Sequence, residues 1–209
     1  MAIPTGRKPI MALYSGATCI YSHGCRIVLF EKEVECKIIY VDPTAPAEEL
    51  AELNPYNETP TLLDRDLVLY GPQIINEYLD ERLPHPPLMP VDPVNRGRAR
   101  LMMMRLQRDW FDLLESVTSG DRGVADTVRD SIRDGLIAIS PLFNDQDYML
   151  GAEFSLVDCF LAPLLWRLPV YGIELPKQAK PVIEYSRRLF DRPAFGASLS
   201  ENERELGLS

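Results

Sequence analysis

The sequence predicts an α/β domain followed by an all-helical domain, and three observations carry that prediction. Residues 10–83 alternate short β-branched runs with helix-period runs, five prolines crowd into 84–93, and from Val94 onward no strand pattern competes with helix. The expected bounds are 1–83 for the α/β domain, 84–93 for a semi-rigid proline-rich linker and 94–209 for the helical domain. With 209 residues, 46% of them apolar, the chain can bury a sizeable core.

Each element follows from local pattern. "IMALY" (10–14) reads as a buried strand, "IYSHGCRIVLFEK" (20–32) as a helix with Ile20, Ile27, Leu29 and Phe30 in helical register, and "CKIIYVD" (36–42) as a second strand. A short helix is expected over 46–53, then two strands around Asp64-Arg65-Asp66, then a helix from Gly71-Pro72 through Leu83, with proline in the first turn where its missing N–H costs nothing. In the second half, Met103, Leu106, Trp110, Leu113 and Val117 mark one amphipathic helix over about 94–118. Val124, Val128, Ile132, Leu136 and Ile139 mark another. "FSLVDCFLAPLLWRL" is apolar nearly all round and opens on Ser155-x-x-Asp158, a capping-box spacing, so it is expected to be the buried central helix. "AKPVIEYSRRLFDRPAF" supplies one more helix, and the polar tail after Ser198 is expected to fray.

Composition excludes several functions. Lys plus Arg is 22 against 31 for Asp plus Glu, a formal charge of −9, which argues against direct nucleic-acid binding because phosphates require basic patches. No apolar run of membrane-spanning length appears, and "MAIPTGRKPIMALY" lacks the order of a secretory signal, so a cytoplasmic protein without a membrane role is expected. Cys19, Cys25, Cys36 and Cys159 match neither a disulfide framework nor a zinc ligand set, and no metal is expected. Cys25, Cys36 and Cys159 read as buried packing residues. His23 has no partner that its spacing would assemble and is expected at the surface or a subunit contact. "RLMMMR" reads as core or interface filler, and "RDSIRDG" as a solvated face.

The order β-α-β-α-β-β-α, "ETPTLLDR" with Pro60 before the third strand, "IINEYLDE", and the box in an all-apolar helix together resemble the glutathione transferase superfamily over almost the whole chain. That resemblance implies an N-terminal thioredoxin-like domain and a C-terminal helical domain. Within the superfamily, "YSHGCRIVLFEK", "NEYLDERLPHPPLMPV" and "FSLVDCFLAPLLWRLP" resemble the stringent starvation protein A family of bacteria. This second resemblance implies a transcription regulator bound to RNA polymerase in starvation or stress response, without transferase activity. It also implies a two-fold homodimer, which suits the apolar set Met102, Met103, Met104, Trp110, Phe111 and Leu114, since these spill over more than one helical face.

Two groups of residues are candidates for function. Cys19 sits where a strand hands over to a helix, a place that favours a thiolate, and Cys19-Ile20-Tyr21-Ser22 spells C-x-x-S near the nucleophile position of omega-like transferases. The superfamily proline at Pro60 is cis and bares the backbone of Thr59 to a cysteinyl peptide. Two departures weaken this site: Ile20 replaces a proline, and Gly71-Pro72 replaces the Glu-Ser that holds the γ-glutamyl carboxylate. Thr59, Pro60, Gly71 and Pro72 are therefore expected to form a vestigial thiol-peptide site with no cofactor. The alternative is a glutathione-dependent thiol transferase or reductase using Cys19. The second group is Pro84, His85 and Pro86, helped by Pro87 and Leu88. The resemblance makes these the surface that meets the polymerase holoenzyme, at its sigma factor or a neighbouring subunit.

Overall fold

The computed structural model describes residues 11–42, 48–118 and 121–206. Strand β1 (Ala12–Gly16) runs parallel to β2 (Lys37–Val41), and α1 (Ile20–Glu31) joins them. After α2 (Glu48–Leu53), β3 (Thr61–Asp64) and β4 (Leu67–Tyr70) form a hairpin turning at Arg65, whose φ is 62°. β3 pairs antiparallel with β1, giving the sheet order β2-β1-β3-β4, and α3 (Pro72–Arg82) completes the thioredoxin-like unit. β1 ends two residues beyond the expected Tyr14, whereas Ile10 and positions 46 and 47 of the expected second helix lie outside the described residues.

Helix α1 is buried all round. Every residue from Ser22 to Leu29 is out of solvent, so charged and polar side chains there must find partners inside the protein. Phe30, expected on the apolar face, is exposed, and Ile20, Tyr21 and Glu31 at the helix ends are partly so. Against α1 lie α3, α7 (Leu156–Arg167) and α9 (Pro193–Ser198). In α7, Pro163 cannot donate to the carbonyl four residues back, that of Cys159, and Gly24 of α1 closes onto this oxygen; a Cβ at Gly24 would lie 3.4 Å from it. The capping box expected at Ser155 forms, with the Asp158 carboxylate accepting from the Ser155 N–H at 2.8 Å, the Met149 N–H at 2.9 Å and the Tyr185 hydroxyl at 2.7 Å.

The rest of the helical half departs from the expected outline at three places. The helix expected over 94–118 is broken: α4 (Pro93–Asp109) ends at Trp110, where φ is −128°, and a 3-10 turn (Phe111–Leu113) leads into α5 (Leu114–Thr118). The break lays the Trp110 indole on Gly135 of α6 (Arg122–Ile139), so closely that a Cβ there would fall 2.5 Å from Cζ2. Leu113 therefore turns toward solvent, as does Val124, while Val128, Ile132 and Leu136 are buried as the periodicity requires. The helix expected near the C-terminus is divided into α8 (Lys180–Phe190) and α9 at Arg192 and Pro193. Finally, the expected fraying tail is helical: α10 (Glu201–Leu206) packs inward, and Glu203 is fully buried.

Cys25 and Cys159 are core residues, whereas Cys36 is only half-buried. In the charge run, Arg133 pairs with Asp130 and Asp134 on the outer face of α6. No helix among the described residues is long and apolar enough to cross a membrane.

Candidate functional site

Two corners of the thioredoxin-like unit hold the candidate residues. At the first, β1 passes through Gly16 into α1, with Cys19 as the helix cap. Its sulfur accepts from the Ser22 N–H at 3.5 Å, and its thiol reaches the Thr59 carbonyl at 3.8 Å. The Thr59–Pro60 peptide is cis, as the resemblance implies. Gly16 permits this closeness, because a Cβ there would lie 2.7 Å from the Cys19 Cβ and 3.1 Å from the Thr59 hydroxyl oxygen. Ser22, the last residue of the C-x-x-S, is fully buried and accepts from the Gly16 N–H at 3.2 Å, so it shapes the turn and faces no ligand.

Beside this turn, Tyr21, Thr59, Pro60, Tyr70, Gly71 and Pro72 line a cavity of about 380 Å³. The Tyr21 hydroxyl donates to Asp112 Oδ1 at 3.0 Å across its mouth; burial, then that bond, pushes the phenol above its usual pKa. The structure thus brings Cys19, Thr59, Pro60, Gly71 and Pro72 to one corner. At the start of α3, however, Gly71 caps without a side-chain bond, at φ 88°, and Pro72 fills the first helical position, so neither hydroxyl nor carboxylate is offered to a ligand.

Behind the turn lies a cluster that sequence reasoning missed. Arg26 donates to the Gly16 carbonyl at 3.2 Å, to the Ser198 carbonyl at 2.8 Å, and to Ser15 and the Glu203 carboxylate. Arg167 of α7 donates to the Thr18 carbonyl at 3.3 Å, the Pro163 carbonyl at 2.9 Å and Glu203. His23 is no surface residue: it is fully buried, with Nδ1 3.0 Å from Arg167 and Nε2 3.0 Å from the Ser198 hydroxyl. Since a guanidinium only donates, Nδ1 must accept, which places the imidazole proton on Nε2 and keeps the ring neutral. Burial, then the charges of Arg167 and Arg26, hold its pKa well below 6.5. The signal for Glu203 was present: Ser200-x-x-Glu203 repeats the capping-box spacing, and the Ser200 N–H reaches Glu203 Oε2 at 2.9 Å while the Glu203 N–H reaches the Ser200 hydroxyl at 3.1 Å. No apolar run follows that box, so the spacing alone does not mark a buried helix.

At the second corner, Pro84, His85, Pro86 and Pro87 are exposed, and the His85–Pro86 peptide is cis. Leu88 departs from expectation. It is 3% exposed and packs in the core beside Met89, so its side chain is not offered to a partner. The Leu88 carbonyl also accepts from the Leu156 N–H at 2.8 Å, fixing this end of the linker to the start of α7. Next to it opens a groove of about 800 Å³, whose walls include Pro87, Val91, Tyr148 and Phe154, with Arg192 stacked 3.9 Å over the Phe154 ring and paired to Glu31.

With the geometry of both corners defined, their relatives can be compared. Residues 18–82 match the family model of the glutathione S-transferase N-terminal domain, and residues 104–188 that of the C-terminal domain. The stringent starvation protein A homolog of Coxiella burnetii is 49% identical over 96% of each chain. The chain belongs to the stringent starvation protein A family. The homolog of Pasteurella multocida is 46% identical over 95% of this chain and 94% of its own. Among solved structures, glutathione transferase Omega 3C of Trametes versicolor has a TM-score of 0.81 at 23% identity, covering 93% of this chain and 86% of its own. That likeness shows the glutathione transferase fold alone.

Proposed function

We propose that the protein is an RNA polymerase-associated transcription regulator of starvation or stress response, acting in the cytoplasm without glutathione transferase activity. The observation that carries the reading is the second corner: Pro84, His85, Pro86 and Pro87 stand in solvent on a backbone anchored at both ends. A proline-rich segment fixed in this way loses little entropy when a partner covers it, and the imidazole adds hydrogen bonding. The partner is the polymerase holoenzyme, met at its sigma factor or a neighbouring subunit. Membership of the stringent starvation protein A family supports this, and the bare start of α3 at Gly71-Pro72 supports the absence of turnover. Replacing Pro84, His85 and Pro86 with alanine is expected to abolish polymerase binding and transcriptional activation with little change in melting temperature. Normal activation by that variant would leave the segment a linker.

The functional unit is a homodimer. Of the apolar set expected to meet a second copy, Met103, Trp110, Phe111 and Leu114 are core residues and Met102 packs against the core, which leaves Met104 exposed on α4 with Val94 and Leu101 at helical spacing for a second copy to cover. Sedimentation at micromolar concentration is expected to give a dimer, and a 23.7 kDa species would refute it.

A second reading rests on Cys19, a half-buried thiol at a helix start beside cis Pro60: a glutathione-dependent thiol transferase or reductase. Glutathione turnover that disappears in Cys19→Ser would establish it, and the loss of the α3 anchor leads us to expect none.

A further inference from the structure

Beneath the exposed prolines lies a buried ion pair with no place in any thiol chemistry. The Lys32 side chain is 0% exposed and that of Asp80 8%. An ammonium has three N–H donors, and all three are used here: on Asp80 Oδ1 at 2.6 Å, on the Leu83 carbonyl at 2.7 Å and on the Pro86 carbonyl. The Asp80 carboxylate in turn accepts from the Leu88 N–H at 2.7 Å and the Met89 N–H at 3.1 Å. Two side chains, Lys32 at the C-cap of α1 and Asp80 of α3, thus hold four backbone groups: Leu83 before the exposed prolines, Pro86 among them, and Leu88 and Met89 after them. A joint between domains has no need of this, since a packed apolar pair is often as stabilising as a buried ionic one. What an apolar pair cannot do is dictate where two carbonyls and two N–H groups must point.

We propose that Lys32 and Asp80 are positioning residues for the exposed tip, setting the backbone of residues 83–89 so that Pro84, His85 and Pro86 meet their partner in a single conformation. This rests on the polymerase-binding reading of the tip and deepens it. Without the pair the tip samples several shapes, and apparent affinity falls by the fraction that remains competent.

The test uses the full chain with purified polymerase holoenzyme and reads amide exchange at Leu88 and Met89, melting temperature and polymerase affinity. The double variant Lys32→Met with Asp80→Leu, and the single variant Asp80→Asn, are expected to exchange both amides faster and to bind at least about tenfold more weakly. The double variant is expected to melt lower, because the Leu88 and Met89 N–H groups lose their acceptor. Ile132→Ala, a core truncation in α6, serves as the control: it should melt lower yet bind normally. Parent-like affinity in the double variant, under conditions where the triple alanine variant of the tip has lost binding, overturns the inference. If the double variant does not fold, Asp80→Asn decides by the same readouts. If the triple alanine variant itself binds normally, the tip is not the polymerase surface, and the reading beneath falls along with this inference.

Discussion

Behind the thiol corner, two arginines and a neutral histidine share one carboxylate, that of Glu203, whereas behind the exposed prolines one lysine meets one aspartate. The first cluster joins groups from α1, α7 and α10 and fixes the backbone at Gly16 and Thr18, closing the turn from behind. Among the described residues two guanidinium groups meet one carboxylate there and Arg167 Nε has no hydrogen-bond partner, so this arrangement depends heavily on Glu203. The second is balanced and joins only neighbouring elements. The contrast teaches that the turn carrying Cys19 is held from behind by a cluster gathered from distant parts of the chain, while the proline-rich segment is held by one pair of charges close beside it.

The largest effect is expected on removing the shared carboxylate. Glu203→Ala leaves two buried guanidinium groups without a counter-charge, and urea unfolding should show a loss of ~3–5 kcal/mol. An effect below about 1 kcal/mol, of surface size, would mean that water replaces the carboxylate and that the first cluster is no more rigid than an exposed one. Next comes Gly16→Ala, whose methyl meets the Cys19 Cβ at 2.7 Å; overpacking of this kind costs about 1–3 kcal/mol and should appear as a lower urea midpoint.

His23 sharpens the comparison through pH. Its folded pKa lies well below the unfolded 6.5, so the unfolded chain binds the proton first. Stability from this group is therefore complete above pH 6.5 and declines as pH falls, by at most about 1.4 kcal/mol per pH unit. Arg26 of α1 and Arg167 of α7 oppose the proton, while Glu203 of α10, 3.9 Å away, favours it without overcoming them. Unfolding curves between pH 7.5 and 5.5 for the parent and His23→Asn should diverge as the medium acidifies, with the variant losing less; parallel curves would place the proton elsewhere. The smallest effect belongs to Cys19→Ser, which swaps one small capping group for another and should alter stability by no more than about 0.5 kcal/mol and polymerase binding not at all.

Much of this was legible from local pattern. The alternation of β-branched and helix-period runs, Gly71-Pro72 opening α3, and the Ser155-x-x-Asp158 box are rules written over a few residues, and the structure follows them. What escaped was settled by partners far along the chain. His23 reads as a surface or subunit-contact residue, yet it is buried, together with Arg26, because α3, α7 and α9 pack against α1. The cue was an apolar run, Ile27 to Phe30, beginning directly after Arg26. The break at Trp110 depends on Gly135 in another helix, and the inward turn of Leu88 depends on Asp80 and Leu156. Neither has a local signature.

Glu203 also bears on how the protein is made. Arg26 meets its carboxylate across a separation of 177 residues, a stretch that takes about 9–35 s to synthesise at 5–20 residues per second. Until then the newly made N-terminal half holds Arg26 in α1 without the Glu203 carboxylate that pairs with it, and burying that helix between the sheet and its covering helices is costly before the partner arrives. Folding during translation should therefore stall at a loosely packed stage, exposed to proteases and in need of chaperones, and finish in one late step when α10 docks. A nascent chain arrested before Ser200 would remain sensitive to proteolysis throughout, including in its otherwise complete thioredoxin-like half.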